Sequence, residues 1–201
     1  MPDLLEPSSG PVTSNGSRRV RRAVFVDRDG TLNPDLRYLS DPSRLELFPT
    51  VPVGIRLLKE HGYVVVCITN QSGIERGYYT VEIVEAIHRR VNELLDRHGT
   101  GIDAFYYCPH RPDAGCACRK PKTQLFERAA TDLGLGWNAS AVIGDRSLDM
   151  EAGETLGLLT ALVRPPGHER DLENELRERG IVPDLKSDHF LGAVRRILAR
   201  G

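Results

Sequence analysis

The chain has 201 residues, 40% of them apolar, and a formal net charge of −1 at pH 7. Its length and apolar content are those of one globular domain with a sizeable core. A charge so close to zero gives no electrostatic footprint for nucleic acid or an anionic membrane, and no apolar stretch approaches the roughly twenty residues of a membrane span. We therefore expect no nucleic-acid or membrane partner, and we expect a monomer.

The first 22 residues differ in composition from the rest of the chain. They are rich in Pro, Ser and Gly, lack the apolar segment of a secretory signal, and end in the basic cluster Arg18, Arg19, Arg21 and Arg22. We interpret residues 1–22 as a flexible tail that precedes a single domain at residues 23–201. Without a signal segment, we expect the protein in the cytoplasm.

Short apolar runs and helical patterns then alternate along the chain. Strands are predicted over Ala23–Val26, Tyr63–Thr69, Ala104–Tyr107, Ala141–Gly144 and Leu158–Val163. Helices are predicted over Val51–His61, Thr80–His98, Lys122–Leu133, Glu169–Arg179 and His189–Ala199. This alternation predicts an α/β fold, a Rossmann-like doubly wound parallel sheet with helices on both faces.

The first predicted strand ends in two acidic residues. Ala23–Val26 is a continuous buried-strand pattern, and Asp27 and Asp29 follow it directly, with Gly30 next. Two carboxylates two residues apart repel each other unless a cation lies between them, and glycine lets the backbone turn tightly beside a ligand. For this segment alone, a solvated Asp-Gly turn is the competing interpretation.

Polar residues of the same kind follow two other predicted strands. Thr69 and Asn70 end the second strand, and Asp145 follows the fourth. The carboxyl ends of parallel strands lie at one edge of a sheet, where α/β proteins bind their ligands. Three strand ends carrying such groups therefore predict a phosphate and metal site.

Four potential metal ligands lie within eleven residues: Cys108, His110, Cys116 and Cys118. Three thiolates and one imidazole form a closed tetrahedral set for structural Zn²⁺. A disulfide or a reactive thiol is the rival interpretation, but a disulfide leaves His110 and one cysteine without a role. We expect a small zinc-binding loop at residues 108–118.

Four short motifs occur in order: Asp27-Arg28-Asp29-Gly30-Thr31, Thr69-Asn70, Lys120 within Arg119-Lys120-Pro121-Lys122, and Gly144-Asp145-Arg146-Ser147-Leu148-Asp149. With these motifs the chain resembles the phosphatases of the haloacid-dehalogenase superfamily, over nearly all of residues 23–163. The resemblance implies a Rossmann-like fold and the hydrolysis of a phosphomonoester.

The resemblance also implies catalytic roles. Asp27 would attack phosphorus and form an aspartyl-phosphate. Asp29 would protonate the leaving oxygen and then take a proton from water, which requires a pKa tuned toward neutrality. Thr69 would donate its hydroxyl to the phosphoryl group, and Lys120 would place a positive charge on the same oxygens.

A magnesium ion is the implied cofactor of this chemistry. The implied ligands are the carboxylates of Asp27 and Asp145 and the backbone carbonyl of Asp29, with Asp149 just outside them. Zn²⁺ is expected to organise the loop and not to take part in the chemistry.

The cysteine loop, combined with the first motif, is similar to that of two related groups of phosphatases. These are the D-glycero-D-manno-heptose-1,7-bisphosphate 7-phosphatases and the histidinol-phosphate phosphatases. Residues 69–77 (TNQSGIERG) resemble the heptose group, whereas the five-residue gap between His110 and Cys116 matches the histidinol group. We weigh the substrate-facing segment above loop length, because loops vary without changing chemistry.

The expected ligand is then a small phosphorylated sugar. The residues expected to contact it are Asp35, Tyr38, Asn70, Gln71, Ser72 and Arg76. Arg119 and Arg146 are assigned to its second, non-reacting phosphate, because bidentate arginine suits an anion that must be oriented and not cleaved. A histidinol substrate would instead need an acid for its amine, which Asp35 or Glu75 supplies.

The connections between the first strands are too short for an inserted cap domain, so we expect an open site. A nucleic-acid-end or protein phosphatase is a further alternative, disfavoured by the missing basic surface, and so is a non-catalytic binding module, disfavoured because Asp27 and Asp29 are both present. Solvated helix positions are expected for His61, His88 and His98, and a packing role for Trp137.

Overall fold

The computed structural model describes residues 20–164 and 172–200. The strands in these residues are β1 (Arg21–Val26), β2 (Val64–Asn70), β3 (Ala104–Cys108), β4 (Leu135–Gly144), β5 (Leu159–Val163) and β6 (Leu185–Ser187). All pair in parallel in one sheet, in the order β3-β2-β1-β4-β5-β6. Residues 1–19 of the predicted tail lie outside the described residues. The last two residues of the predicted tail, Arg21 and Arg22, belong to β1.

The helices of the described residues are α1 (Val51–Glu60), α2 (Val81–Asp96), α3 (Gln124–Leu133), α4 (Ser147–Thr155), α5 (Leu172–Arg179) and α6 (Phe190–Leu198). They cover both faces of the sheet, because successive strand side chains point to opposite sides. In β1, Val24 and Val26 pack in one core with α1, α2 and α6, while Ala23 and Phe25 pack in the other with α3, α4 and α5. The predicted α/β doubly wound fold is confirmed.

The direction of chain winding reverses at β1. The sheet is built outward on one side through β2 and β3, and on the other through β4, β5 and β6. In doubly wound sheets, ligands bind at the carboxyl ends of the strands beside this reversal. The residues that follow β1 and β4 are therefore placed where this fold binds ligands.

The edge of the sheet at this point is open. The connections from β1 to β2 and from β2 to β3 are both described in full, and neither contains a further domain. The longest helical element between these strands is α2. Among the described residues, none of the helices has the length and apolar character needed to cross a membrane.

One strand and one α-helix of the described residues escaped the sequence prediction, as did a short 3-10 helix at Pro42–Arg44. The short strand β6 has three residues, too few to show an alternating pattern. The helix α4 buries Ser147 and Asp149 as well as Met150, so it lacks a clean apolar stripe opposed to a polar face. β4 also begins at Leu135, well before the predicted Ala141, and the register between β1 and β4 shifts between Arg22 and Val24.

The prediction for His88 was wrong. Its side chain is only 6% exposed, and its ring stacks on Phe105 with the ring centroids 4.5 Å apart. His88 lies on the same helical stripe as Val84, Ile87 and Val91, and this spacing already indicated a core-facing position. Trp137 packs near Phe25, with 6.1 Å between ring centroids, as predicted.

Candidate active site

Asp27 and Asp145 follow two neighbouring strands of the sheet, β1 and β4. The two strands are hydrogen-bonded to each other, and Asp27 N donates to Ile143 O at 3.0 Å. Both side chains are buried, and carboxylate oxygens of Asp27, Asp145 and Asp149 lie within 4.8 Å of one another. Asp149 comes from the first turn of α4, which begins at Ser147, two residues after Asp145. Three buried acids therefore meet at the carboxyl edge of the sheet.

Lys120 is the cation placed among these acids. Its Nζ lies 2.6 Å from Asp27 Oδ1 and 2.6 Å from Asp149 Oδ1, and it donates to Ile68 O at 2.6 Å. Burial alone would lower the pKa of Lys120, but the Asp149 and Asp27 carboxylates outweigh burial and raise the pKa. Lys120 is therefore a permanent positive charge at this site.

One lysine does not balance three carboxylates. Burial raises the pKa of Asp27 to about 6, against the lowering effect of Lys120, and burial also raises the pKa of Asp149. A hard divalent cation prefers carboxylate oxygens and relieves their mutual repulsion. The donor set of Asp27, Asp145 and Asp149 fits Mg²⁺. It includes Asp149, which the sequence analysis placed just outside the magnesium ligands.

The second acid of the first motif, Asp29, is held differently. Its carboxylate accepts hydrogen bonds from Arg28 (3.2 and 2.8 Å), Asn33 Nδ2 (3.0 Å) and Gln71 Nε2 (2.8 Å). Burial would raise the pKa of Asp29, but the Arg28 charge and these hydrogen bonds outweigh it and lower the pKa. We expected a pKa tuned toward neutrality, and the substrate-free structure instead favours the ionised carboxylate.

Two residues assigned to sugar hydroxyls have their amides engaged inside the protein. The side chain of Asn70 bonds the backbone of Lys120. The side chain of Gln71 donates to Asp29 and Thr69 and accepts from Tyr79. Both still line the cavity described next, but their polar atoms are occupied. The position of these residues after a predicted strand indicated that they lie near the site. It did not indicate the direction in which their amide groups point.

A cavity of about 420 Å³ opens over Asp27 and Asp29. Thr69 and Lys120 lie in its wall, and the other lining residues include all eight of those predicted to bind substrate: Asp35, Tyr38, Asn70, Gln71, Ser72, Arg76, Arg119 and Arg146. Asp145 is buried beneath this surface, 2% exposed, and accepts a hydrogen bond from Thr31 Oγ1 at 3.3 Å. The sequence therefore identified the residues of one continuous pocket.

A carboxylate and a backbone carbonyl hold the two arginines at the mouth of this cavity. Arg146 Nη2 lies 2.8 Å from Asp35 Oδ2, and Arg119 Nη1 donates to His110 O at 3.1 Å. Burial alone would lower the pKa of Arg146, but the nearby carboxylates of Asp27, Asp145 and Asp35 outweigh burial and raise the pKa. The two arginines approach the cavity from different loops, one after β4 and one after the cysteine cluster.

Tyr38, which lines the cavity, packs against the ring of Tyr78. The rings of Tyr38 and Tyr78 meet edge to face with 4.6 Å between centroids, and both are about half-exposed. Arg37 and Tyr38 have positive φ angles of 46° and 52°, a conformation that side chains other than glycine rarely adopt. Sequence reasoning missed Tyr79, which also lines the cavity, since no local pattern marks this position.

Cys108, His110, Cys116 and Cys118 form a second cluster at the end of β3. The Sγ atom of Cys108 lies 3.6 Å from His110 Nδ1, 3.6 Å from Cys116 Sγ and 3.2 Å from Cys118 Sγ, and all four cysteines of the chain are free thiols. Ligands of tetrahedral zinc at about 2.3 Å are separated by roughly 3.8 Å. The cluster fits zinc, and none of its sulfur pairs is a disulfide.

The cysteine loop is fastened to the cavity wall. Gln71 N donates to Cys108 O at 2.7 Å, Glu75 N donates to Pro109 O at 3.3 Å, and the Glu75 carboxylate accepts from Arg111 N. Lys122 Nζ bonds the carbonyls of Gly115 and Cys116. The segment after β2 and the cysteine loop are therefore one connected wall, and Arg119 and Lys120 follow it directly.

Two family models match the chain. Residues 117–188 match the HAD-hydrolase-like family, and residues 34–147 match the polynucleotide kinase 3 phosphatase family.

Curated relatives cover most of the chain. It is 36% identical over 172 residues to the D-glycero-beta-D-manno-heptose-1,7-bisphosphate 7-phosphatase of Haemophilus ducreyi, with 82% of this chain and 94% of that protein covered. It is 37% identical over 186 residues to the D-glycero-D-manno-heptose-1,7-bisphosphate 7-phosphatase of Chlorobaculum tepidum, with 86% and 92% covered.

A solved structure is similar in fold. The D,D-heptose 1,7-bisphosphate phosphatase of B. bronchiseptica, complexed with magnesium and phosphate, superposes with a TM-score of 0.78 at 27% identity. The alignment covers 90% of this chain and 99% of that one.

Proposed function

Because the chain is a phosphatase of the haloacid-dehalogenase superfamily and belongs to the family of the D-glycero-D-manno-heptose-1,7-bisphosphate 7-phosphatases, we propose that it removes the 7-phosphate of D-glycero-D-manno-heptose 1,7-bisphosphate. The observation that carries this proposal is the position of Asp27. Its carboxylate lies at the floor of the cavity, paired with Lys120 at 2.6 Å, with Asp29 two residues away and arginines at the mouth.

In the proposed first step, a carboxylate oxygen of Asp27 attacks phosphorus. A bond forms between Asp27 and phosphorus, the bond from phosphorus to the sugar oxygen breaks, and a proton from Asp29 passes to that oxygen. Lys120 and the Thr69 hydroxyl bind the phosphoryl oxygens and offset their charge. In the second step, water attacks the phosphorus of the aspartyl-phosphate and gives a proton to Asp29. The bond between Asp27 and phosphorus breaks, inorganic phosphate leaves, and the Asp27 carboxylate is restored.

The surroundings of Asp29 support the second of these steps directly. Arg28, Asn33 and Gln71 favour its ionised form, which is the form that accepts a proton from water. For the first step, Asp29 must carry a proton, which the negative charge of a phosphate group bound in the cavity would favour. Of the three donors to Asp29, Gln71 is the one that lines the cavity.

Two metals complete the proposal. Mg²⁺, which would neutralise charge on the phosphoryl group, would be held by Asp27, Asp145 and the backbone carbonyl of Asp29, with Asp149 adjoining. Zn²⁺ would be held by the four residues of the cysteine cluster and would fix the loop that carries Arg119 and Lys120. The three buried carboxylates and the ligand spacing of the cluster support these assignments.

The leaving group would be recognised at the mouth of the cavity. Arg119 and Arg146 are placed there by His110 O and Asp35, and we assign them to the second phosphate. Tyr38, Ser72 and Arg76 line the same cavity, and we assign them to the sugar hydroxyls together with Asp35, which is paired with Arg146. On the histidinol alternative, Asp35 or Glu75 would hold the amine, but Asp35 is paired with Arg146 and Glu75 with the backbone of Arg111. These contacts favour the bisphosphate.

A nucleic-acid-end phosphatase is the second candidate, favoured by the family model that matches residues 34–147. The net charge of −1 argues against it, because binding to the phosphate backbone requires a basic surface. A monomer in the cytoplasm, with residues 23–201 as one domain, is part of the proposal.

The first experiment measures phosphate release with Mg²⁺ and with EDTA. The substrates are both anomers of D-glycero-D-manno-heptose 1,7-bisphosphate, L-histidinol phosphate and a 3′-phosphorylated oligonucleotide. We expect kcat/KM for one heptose anomer to exceed kcat/KM for L-histidinol phosphate and for the oligonucleotide at least a hundredfold, equivalent to about 2.7 kcal/mol of transition-state discrimination. Preference for histidinol phosphate or the oligonucleotide would replace the proposed substrate.

The nucleophile is tested with Asp27→Asn. This change is nearly isosteric and removes only the attacking charge, so turnover should be lost while the unfolding transition is kept. Phosphate release above a few per cent of wild type would contradict the assignment of Asp27.

A further inference from the structure

Gln71 lies between two groups of the proposed reaction: the Asp29 carboxyl, which transfers protons, and the Thr69 hydroxyl, which binds the phosphoryl oxygens. Its Nε2 donates one hydrogen to Asp29 Oδ2 at 2.8 Å and the other to Thr69 Oγ1 at 2.9 Å. A primary amide has two N–H hydrogens, so both are used within the protein. Gln71 is 2% exposed although it lines the cavity. Its amide nitrogen therefore has no hydrogen left for a sugar hydroxyl.

The bond to Thr69 determines what the threonine can offer. Thr69 Oγ1 accepts a hydrogen from Gln71, so its own O–H hydrogen must point away from Gln71. Thr69 is in the cavity wall and 1% exposed. The hydroxyl is thus kept as a donor, which is the role that a phosphoryl oxygen in the cavity requires.

Tyr79 fixes the direction of the Gln71 amide. The Tyr79 hydroxyl donates to Gln71 Oε1 at 2.7 Å, and burial raises the pKa of Tyr79 to about 12, so this phenol remains a donor. A flipped amide would place Oε1 against the Asp29 carboxylate and lose both donated hydrogen bonds. The phenol therefore selects the one orientation in which Nε2 faces Asp29 and Thr69.

Gly73 provides the space for this tyrosine. A Cβ atom at Gly73 would lie 2.3 Å from Tyr79 Cζ and 2.6 Å from its hydroxyl oxygen, closer than any side chain tolerates. The backbone stays in contact, since Tyr78 N donates to Gly73 O at 2.8 Å. The segment after β2 thus places a glutamine, a glycine and a tyrosine around one amide.

We propose that Gln71, held in one orientation by Tyr79, is a positioning residue that sets the direction of two proton donors, the Thr69 hydroxyl and the Asp29 carboxyl. The inference rests on the proposed function and deepens it. In the first step the proton moves from Asp29 to the leaving oxygen as the Asp27–phosphorus bond forms; Gln71 makes and breaks no covalent bond. This assignment replaces the sugar contact that the sequence predicted for Gln71.

The test compares two leaving groups. Gln71→Glu keeps the shape of the side chain and removes both donors, and Tyr79→Phe removes one hydroxyl. The substrates are the heptose bisphosphate, whose alkoxide needs a proton to leave, and p-nitrophenyl phosphate, whose phenoxide leaves without one. We measure kcat/KM, which reports the steps up to formation of the aspartyl-phosphate and excludes its hydrolysis. Tyr106→Phe, which loses a hydroxyl bonded to Asp132 far from the cavity, is the matched control.

Both variants should lower kcat/KM for the heptose bisphosphate at least about thirtyfold more than for p-nitrophenyl phosphate, within the range that positioned acids contribute. The loss should appear in the rate of sugar release in a single turnover at saturating enzyme, which hydrolysis of the aspartyl-phosphate does not limit. Equal losses on both substrates, or weaker substrate binding with an unchanged single-turnover rate, would overturn the inference in favour of a folding or sugar-binding role. Failure of the proposed function looks different: the wild-type protein itself would not hydrolyse the heptose bisphosphate.

A crystal structure of Gln71→Leu tests the positioning without any turnover, whatever the natural substrate. We expect the Asp29 carboxylate to rotate from its place beside residue 71 or to adopt two conformers. An Asp29 carboxylate and a Thr69 hydroxyl unchanged from wild type would overturn the inference. Gly73→Ala provides a third variant, since it displaces the Tyr79 ring and should reproduce the kinetic pattern of Tyr79→Phe.

Discussion

Asn70 binds the backbone of Lys120 on both sides of the residue. Asn70 Oδ1 accepts from Lys120 N at 3.1 Å, and Asn70 Nδ2 donates to Lys120 O at 3.2 Å. Asn70 ends β2, whereas Lys120 lies in the loop after the cysteine cluster, so one side chain joins two separate elements. With its backbone fixed in this way, Lys120 can direct its Nζ between Asp27 and Asp149.

Asn70→Ala should therefore act on catalysis more than on substrate binding. We expect kcat to fall roughly ten- to a hundredfold with KM changed little, because the variant frees the backbone of Lys120, and small displacements of a positioned group are costly. Steady-state kinetics on the best phosphomonoester substrate provides the measurement. A raised KM at constant kcat would instead support the sugar contact predicted from the sequence.

Lys120→Met should destabilise the fold as well as abolish activity. It leaves the Asp27 and Asp149 carboxylates buried without their cation, and breaking a buried ion pair in this way costs about 3–5 kcal/mol. Urea unfolding in EDTA at pH 7 measures the change in the free energy of unfolding. The double variant Lys120→Met/Asp149→Asn should recover part of the loss, and additive losses would show that the pair is not coupled.

Cys116→Ser should lose bound zinc and lower stability together. When zinc binds through thiolate ligands, the binding free energy stabilises the folded protein. The loop that carries these ligands is also followed directly by Arg119 and Lys120. Metal analysis of the purified protein and thermal unfolding check the two effects. Cys67→Ala is the matched control: it changes a buried cysteine of β2 outside the cluster and should leave the zinc content at wild type. Full zinc content in Cys116→Ser would exclude this residue as a ligand.

His88 should make the protein less stable in mild acid. Burial, with the charge of Arg28, lowers the pKa of His88 to about 3, while an unfolded histidine titrates near 6.5. Between these values the unfolded chain binds a proton that the folded chain does not, so stability falls as the pH falls. The full effect is about 1.4 kcal/mol per pH unit, or about 2 kcal/mol between pH 6.5 and pH 5.

Carboxylates also lose stabilising contacts in acid, so the histidine contribution is read as a difference. Urea unfolding at pH 7 and pH 5 is compared between the wild type, His88→Leu and His98→Gln, which changes an exposed histidine after the same helix. The leucine variant should lose less stability on acidification than the other two proteins. The same loss in all three would contradict the role of His88.

Residues that follow strands were well predicted from the sequence. Asp27, Thr69 and Asp145 are located by where apolar runs end, and parallel pairing then brings them to one edge. The cysteine cluster could be predicted equally well, because the types of its ligands and their close spacing along the chain define it. Both predictions depend on order along the chain and not on side-chain direction.

Side-chain direction is what the sequence did not contain. The amides of Asn70 and Gln71 point at Lys120 and at Asp29, and only the packed loop around Tyr79 determines this. The inward orientation of His88 could have been predicted from the apolar residues on the same face of its helix. We predicted a solvent-exposed position instead because histidine is titratable. The strand β6 is too short to leave a pattern.

The pairing of β1 with β4 has a consequence for inactivation by heat. Asp27 and Asp145 extend from adjacent hydrogen-bonded strands at the centre of the sheet, so their separation is set by the ladder itself and not by a hinge or a closing domain. No partial opening of the surface can part them while the sheet persists. The two acids should therefore separate only when the whole domain unfolds. The loop that carries Lys120 is not held by the sheet in this way, and we expect it to unfold at a lower temperature in protein from which metal has been removed.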